Sequence, residues 1–321
     1  MDWKPFAVAI MDAQFVQGGL ASMIAGYATH PLDLIKVRMQ LQGEVAAVTS
    51  LAYALEGKPV RIAMPRIGPV GMCMNVVQTE GIRALYSGVS ASVLRQFLYS
   101  STRIGLYEHL KMQWRDPRQQ QQQGTGLPLV KKVTAALLAG AAGAAVGNPA
   151  DLAMVRMQAD GRLPSHLRRN YKSVTDALVR MVRQDGLKSL WRGSATTVTR
   201  AMLVTAAQLA TYDQITEAIT LHKLVPQGLA TQVVASCSAG VLASMVATPV
   251  DVVKTRVMNQ RIRAGEPPPY TGALDCAFKT VRSEGPMALY KGFIPTVTRQ
   301  GPFAIVMFLS LEQMRKILQN F

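Results

Sequence analysis

Charge is scarce in this sequence: Asp, Glu, Lys and Arg make up 17% of its 321 residues, and only 19 of them are acidic. A soluble domain carries about 25%, so a wholly water-exposed surface is poorly provided for. Cysteine is nearly absent, with Cys73, Cys237 and Cys276 at no metal-ligand spacing, which excludes a disulfide framework and a thiolate metal site. The four histidines, His30, His109, His166 and His222, are scattered. They form no nucleophile–base pair, so neither an enzyme active site nor a cofactor is indicated. The opening MDWKPFAVAI has no Arg and no secretory start or cleavage pattern, so any organelle address is expected to be internal.

What is present is apolar and repeated. Hydrophobic residues make up 49%, and mean hydropathy is +0.14. The frame Pro31-x-Asp33-x-x-Lys36-x-Arg38 returns from Pro149 with Asp151, Met154 and Arg156, and from Pro249 with Asp251, Lys254 and Arg256. The spacings of 118 and 100 residues mark three units rather than two or three unrelated domains. Within each frame Pro removes an amide donor from a helix, and the acid and the base three residues later share a face.

The net charge of +16 first suggests nucleic acid, but its distribution argues otherwise. The stretches 36–85, 154–192 and 252–291 hold 22 of the 35 Lys and Arg, against nine in the termini and other connections. By the positive-inside rule the basic stretches share one side of a membrane and both termini the other.

Six segments read as membrane helices, two per unit. The odd ones, about 13–37, 129–153 and 228–253, are nearly free of charge before the Pro. Small residues stand 13, 9 and 5 positions before each Pro: Gly18, Ser22, Gly26; Ala136, Gly140, Ala144; Ser236, Gly240, Ser244. That stripe predicts close backbone approach in lipid. The even segments, about 89–109, 194–214 and 293–313, follow Gly88, Gly193 and Gly292 and carry Arg95, Arg200 and Arg299 seven residues in. Acids follow near the far end, as Glu108, Asp213 and Glu312. The units are 13–115, with a long basic loop at 41–75, then 127–221 and 227–319. Pro59, Pro65 and Pro69 suggest irregular structure in that loop, and Arg118-Gln-Gln-Gln-Gln-Gln-Gly124 a flexible connection.

A third motif precedes each even segment: Glu80-Gly81 to Gly88, Asp185-Gly186 to Arg192-Gly193, and Glu284-Gly285 to Lys291-Gly292. Val174 to Arg183 and Leu274 to Arg282 alternate as surface amphipathic helices do. A glycine-led helix start beside a base is an anion site, here for a lipid phosphate. A turn-rich loop with no ligand is the simpler alternative.

An Arg in mid-bilayer costs about 2.5 to 3.5 kcal/mol, so Arg95, Arg200 and Arg299 are expected to face a shared wet cavity. Arg95, Tyr99 and Arg103 line one face of their helix, with Gln208 and Met307 at the counterparts of Arg103. No acid lies between each central Arg and its distal acid. The cavity then reads as net positive, and planar guanidinium forks suit a small dianion.

With these motifs in place, the chain resembles the mitochondrial carrier family. Within it the likeness is to the dicarboxylate and oxoglutarate branch, especially the plant dicarboxylate carriers. Asn148 to Arg156 and the long first loop carry that likeness. The resemblance implies an all-α membrane protein of six transmembrane helices in three tandem repeats, pseudo-threefold about a central cavity, in the mitochondrial inner membrane. Both termini would face the intermembrane space. A matrix gate of Asp33, Lys36, Asp151, Asp251 and Lys254 would be braced by Gln40 and Gln158. A cytoplasmic gate would use Glu108, Lys111, Asp213, Glu312 and Arg315. Substrate would meet Arg95, Arg200 and Arg299, and cardiolipin would sit at Gly88, Arg192, Gly193, Lys291 and Gly292.

The chain departs from the pattern at Met154, Thr216, Ser87, Leu311 and Met258. Under the family's pairing scheme each gate would keep two pairs: Asp151 with Lys254 and Asp251 with Lys36, then Asp213 with Arg315 and Glu312 with Lys111. The expected function is exchange of malate, oxaloacetate or succinate against phosphate, sulfate or another dicarboxylate by a monomer. Alternatives are an uncoupling-type proton carrier, an oxoglutarate/malate exchanger and, from another class, a soluble helical-repeat binding module.

Overall fold

The computed structural model describes residues 13–44, 67–114, 129–163, 168–222, 229–260 and 268–319, and among these every regular element is a helix. The first unit contains α1 (Ala13–Ala28), α2 (His30–Gln40), α3 (Pro69–Glu80) and α4 (Val89–Gln113). The second contains α5 (Leu129–Asp160), α6 (Val174–Asp185) and α7 (Ser194–His222), and the third α8 (Leu229–Asn259), α9 (Ala273–Glu284) and α10 (Phe293–Gln319). A 3-10 turn follows each short helix, at Ile82–Tyr86, Leu187–Trp191 and Pro286–Tyr290.

The Pro frames lie farther inside the helices than their expected ends. Pro149 and Pro249 sit within α5 and α8, whereas the first frame divides α1 from α2 at Thr29. Thr29 and Thr248 each turn a hydroxyl back to the carbonyl four residues earlier, at 2.8 and 2.5 Å, which satisfies these buried hydroxyls locally. The residue before each Pro is fully buried. His30 Nε2 meets the Ser87 carbonyl at 3.0 Å, and Asn148 Nδ2 donates to the Leu190 carbonyl at 2.8 Å. Both tie the bend to the turn that leads into the even helix of the same unit.

Each long helix packs on the next in chain order, and α10 returns to α1, so they close into a ring. The small-residue stripe is only part of the buried seam. Positions 9 and 5 before each Pro are buried, but Ser236 is exposed and Ala136 half-buried. The tightest register includes the neighbouring positions 10, 6 and 2 before Pro: Ala21, Ala25 and Thr29; Ala139, Gly143 and Gly147; Ala239, Ala243 and Ala247. A Cβ on Gly143 would stand 3.0 Å from the Tyr99 carbonyl, so this glycine sets how near α4 and α5 can come. Gly18 lies where side-chain placement is outside the described residues.

The structure corrects the loop reading at Pro69, which starts α3. Pro tolerates the first helical turn because no intrahelical donor is needed there. The rest of the loop, residues 45–66, and the Gln run at 118–124 lie outside the described residues.

Apolar side chains are exposed around the ring, among them Leu20, Phe97, Leu138, Met202, Met245, Ile305 and Phe308, an outward apolar face of the kind that marks an interaction surface. By length and composition two described helical spans, Val130–Asp160 and Ala235–Asn259, could cross a membrane, and Gly19–Ala28 is a shorter apolar stretch. The even helices carry Arg and polar residues through their centres, which lowers their mean hydropathy.

Candidate functional site

The ring is shut at the end that holds the Pro frames. There α2 and the last turns of α5 and α8 are almost wholly buried, and three carboxylates, Asp33, Asp151 and Asp251, are 4 to 7% exposed. Lys36 reaches Asp251 at 2.7 Å, and Lys254 pairs with Asp151. Met154, at the equivalent frame position, joins an apolar cluster with Val37, Leu41, Leu152 and Met258.

The central arginines share the same acids. Arg95 Nε lies 4.0 Å from Asp151, Arg200 is paired with Asp251, and Arg299 Nη1 lies 2.9 Å from Asp33. Each Arg on an even helix therefore reaches the frame acid of the following unit, with the last returning to the first. These acids lie on the odd helices, and the layer keeps the net positive charge expected of it. The frame acids come from neighbouring odd helices, so a search for acids along the even helices alone misses them.

Across this layer three carboxylates face five cations, namely Lys36, Lys254, Arg95, Arg200 and Arg299. The excess is two positive charges. Above it, Tyr99 packs against Gly143 and Gly147, and exposed Arg103 stacks over the Tyr99 ring at 5.9 Å. Arg299 lies over Phe303 at 5.3 Å. Gln208 is exposed.

The two candidate brace residues differ. Gln40 Oε1 accepts from Thr255 Oγ1 at 2.7 Å, at the base of the Lys36–Asp251 pair. Gln158 is fully buried, and its side-chain amide makes no hydrogen bond among the described residues.

At the far end the charges pair within their own helices. Lys111 meets Glu108 at 3.2 Å, and Glu312 meets Lys316 at 2.8 Å. The expected Glu312–Lys111 pair is not formed; each of these charges takes its i+3 or i+4 neighbour on its own helix instead. The side chains of Asp213 and Arg315 lie outside the described residues. Among the described residues no ion pair joins one helix to another at that end.

Three further arginines went unassigned in the sequence. Arg38, Arg156 and Arg256 end the frames and clamp the acids of the acid–Gly motifs: Arg38 with Glu80, Arg156 with Asp185 at 3.1 Å, and Arg256 with Glu284 at 2.5 Å. Their Nε atoms then donate to the carbonyls of Gln158, Met258 and Gln40 at 3.2 to 3.3 Å. The signal was present, since each motif kept one unexplained acid and each frame one unexplained Arg.

Gly88, Gly193 and Gly292 have φ of +83, +80 and +90°. Added Cβ atoms would meet Met157 and Gln158, Met258, and Gln40, so these glycines seat one unit on the next. Lys291 is occupied by Glu284 at 2.5 Å and the Gln42 carbonyl at 2.6 Å. Arg192 is half-buried, and its Nη1 has no hydrogen-bond partner among the described residues; burial, and then Arg156, lower its pKa.

The mitochondrial carrier protein family matches this chain three times, at residues 11–117, 125–223 and 226–321. Mitochondrial uncoupling protein 5 of Arabidopsis thaliana is 57% identical over 311 residues, which cover 96% of this chain and 98% of that protein. Mitochondrial uncoupling protein 4 of the same plant is 55% identical over 318 residues, with 96% and 98% covered. The mitochondrial 2-oxoglutarate/malate carrier protein of Mus musculus is 39% identical over 316 residues, 98% of this chain and 94% of its own.

Proposed function

The chain belongs to the mitochondrial carrier family, and from that membership we propose that it exchanges small dicarboxylates across the mitochondrial inner membrane. Malate, oxaloacetate and succinate are the cargo, with phosphate, sulfate or a second dicarboxylate in return. Six helices span the bilayer as three repeats, 13–115, 127–221 and 227–319, in pseudo-threefold order about the cavity. The Pro frames face the matrix and both termini the intermembrane space.

One observation carries this reading: the central arginines are ion-paired with the acids of the closed end, in a layer with two positive charges in excess. A dianion entering from the far end balances that excess. Its carboxylates compete with Asp33, Asp151 and Asp251 for the guanidiniums, whose planar donors fit either partner. Capture of the arginines loosens the ring that shuts the matrix side. As the far ends converge, Glu312 meets Lys111 and Asp213 meets Arg315, and the cargo leaves chemically unchanged. The protein works as a monomer, because the whole pathway lies within one ring. Arg192 and the glycine-led helix starts hold cardiolipin phosphate.

The names of the plant relatives favour a second reading, a proton carrier of the uncoupling type. Counter-exchange in liposomes with malate, oxoglutarate, phosphate and sulfate separates them. Exchange without fatty-acid-activated proton current supports the first; proton current without exchange supports the second. Preference for oxoglutarate would mark the oxoglutarate/malate variant.

A further inference from the structure

Below the ion-pair layer, toward the shut end, lies a second set of contacts that substrate capture does not use. Asn259 is five residues beyond Lys254 on α8, about 7.5 Å farther along the axis. Its Nδ2 donates to Glu44 Oε2 at 3.0 Å. Arg169 grips the same residue from the second unit, with Nη1 to Asn259 Oδ1 at 3.2 Å and Nη2 to its carbonyl at 2.9 Å. Arg162, also from the second unit, donates to the Leu41 carbonyl at 2.6 Å.

These contacts are built rather than incidental. Glu44 is 7% exposed although it lies in a connection. Asp160 fixes the backbone at Arg169 by accepting the amides of Arg169 and Asn170 at 2.6 and 2.7 Å. Arg180 holds the Arg169 carbonyl at 3.0 Å. Glu44–Asn259 joins the first unit to the third, Arg169–Asn259 the second to the third, and Arg162–Leu41 the second to the first. No two units can part at this end without breaking at least one of them.

We infer that Glu44, Asn259, Arg162 and Arg169 form a second closure of the matrix side, a polar clasp that must release together with the ion-pair ring before that end opens. The inference rests on the transport reading, and its test keeps the two apart.

In a background carrying Cys73→Ser, Cys237→Ser and Cys276→Ala, Glu44→Cys and Asn259→Cys are bridged in liposomes with a short reducible bis-methanethiosulfonate. Bridging should reduce malate exchange at least tenfold, and dithiothreitol should restore it. Failure to bridge, or exchange undiminished in bridged protein, overturns the clasp. Separately, Thr255→Cys, whose native side chain is buried in the ring, reports opening by reaction with an impermeant maleimide from the matrix-facing side. Glu44→Ala should raise that labelling several-fold, and Glu44→Gln, which keeps an oxygen for Asn259, should not. Equal labelling in all three overturns the proposal. If the unbridged protein exchanges no anion, the transport reading fails, while the labelling still judges the clasp.

Discussion

Arg299 Nη1 lies 2.9 Å from Asp33, and among the described residues it is the one base paired with that acid. Asp151 and Asp251 each hold a lysine and an arginine. The asymmetry follows from Met154, which took an apolar place where the other frames carry lysine. Removing the one partner of a buried charge costs about 3 to 5 kcal/mol. Arg299→Ala should therefore lower the unfolding temperature more than Arg95→Ala or Arg200→Ala, each of which leaves its acid a lysine. Adding Asp33→Asn should recover most of the loss. Equal melting of the three single variants in detergent would contradict this.

Met154→Lys should supply the missing cation. Lys36 and Lys254 reach their acids from the same frame position, so a lysine at 154 has the span to reach Asp33. Desolvation of the buried lysine offsets most of its attraction to Asp33; a net gain of about 1 kcal/mol slows exchange about fivefold by holding the Pro-frame end shut. Initial exchange rates in liposomes measure it; an unchanged rate and sidedness would refute it.

Acid should weaken the clamp between Arg256 and the acid–Gly turn. Burial pushes the Glu284 carboxyl up, but the hydrogen bonds and charges of Arg256 and Lys291 outweigh it and hold the pKa below 4.5. A depressed carboxylate contributes stability above its unfolded pKa and loses it as pH falls through the folded value. Melting followed from pH 7 to pH 3 should show this contribution intact to about 4.5 and falling below it. Glu284→Gln should melt lower at pH 7 and lose that part of the slope. Parallel curves for the two proteins would contradict the assignment.

Cys276 should resist alkylation. Burial, with Glu44 adding to it, pushes its thiol up to about 12, so at pH 8 the thiolate fraction is on the order of one in ten thousand. Mass spectrometry after maleimide treatment should find Cys276 modified only in denatured protein. Rapid modification of the folded protein would show that α8, through Val253 and Val257, does not cover it.

The repeat was legible because its parts are local in sequence: a Pro, an acid and a base within eight residues, and a glycine seven residues before each Arg. Partnerships across units were less so. Nothing near Arg200 in the chain points to Asp251, because the ring that joins α7 to α8 brings them together. Reading each even helix by itself left its Arg without a carboxylate. Met154 was visible as a missing base, but its apolar neighbours Val37 and Met258 come from two other units. The distal pairing of Glu312 with Lys111 failed for a different reason: a family pattern spans both ends of the transport cycle, while one structure holds one end shut. Glu44 gave no signal, since an acid in a basic loop reads as solvated.

The account turns on the three central arginines acting together on a dianion. The most direct measurement is uptake of labelled malate into malate-loaded liposomes by the unaltered protein and by Arg95→Ala/Arg200→Ala/Arg299→Ala, with thermal unfolding confirming that the variant is folded. The account predicts rapid exchange by the first and none above empty liposomes by the second. Undiminished uptake by the folded triple variant would contradict it.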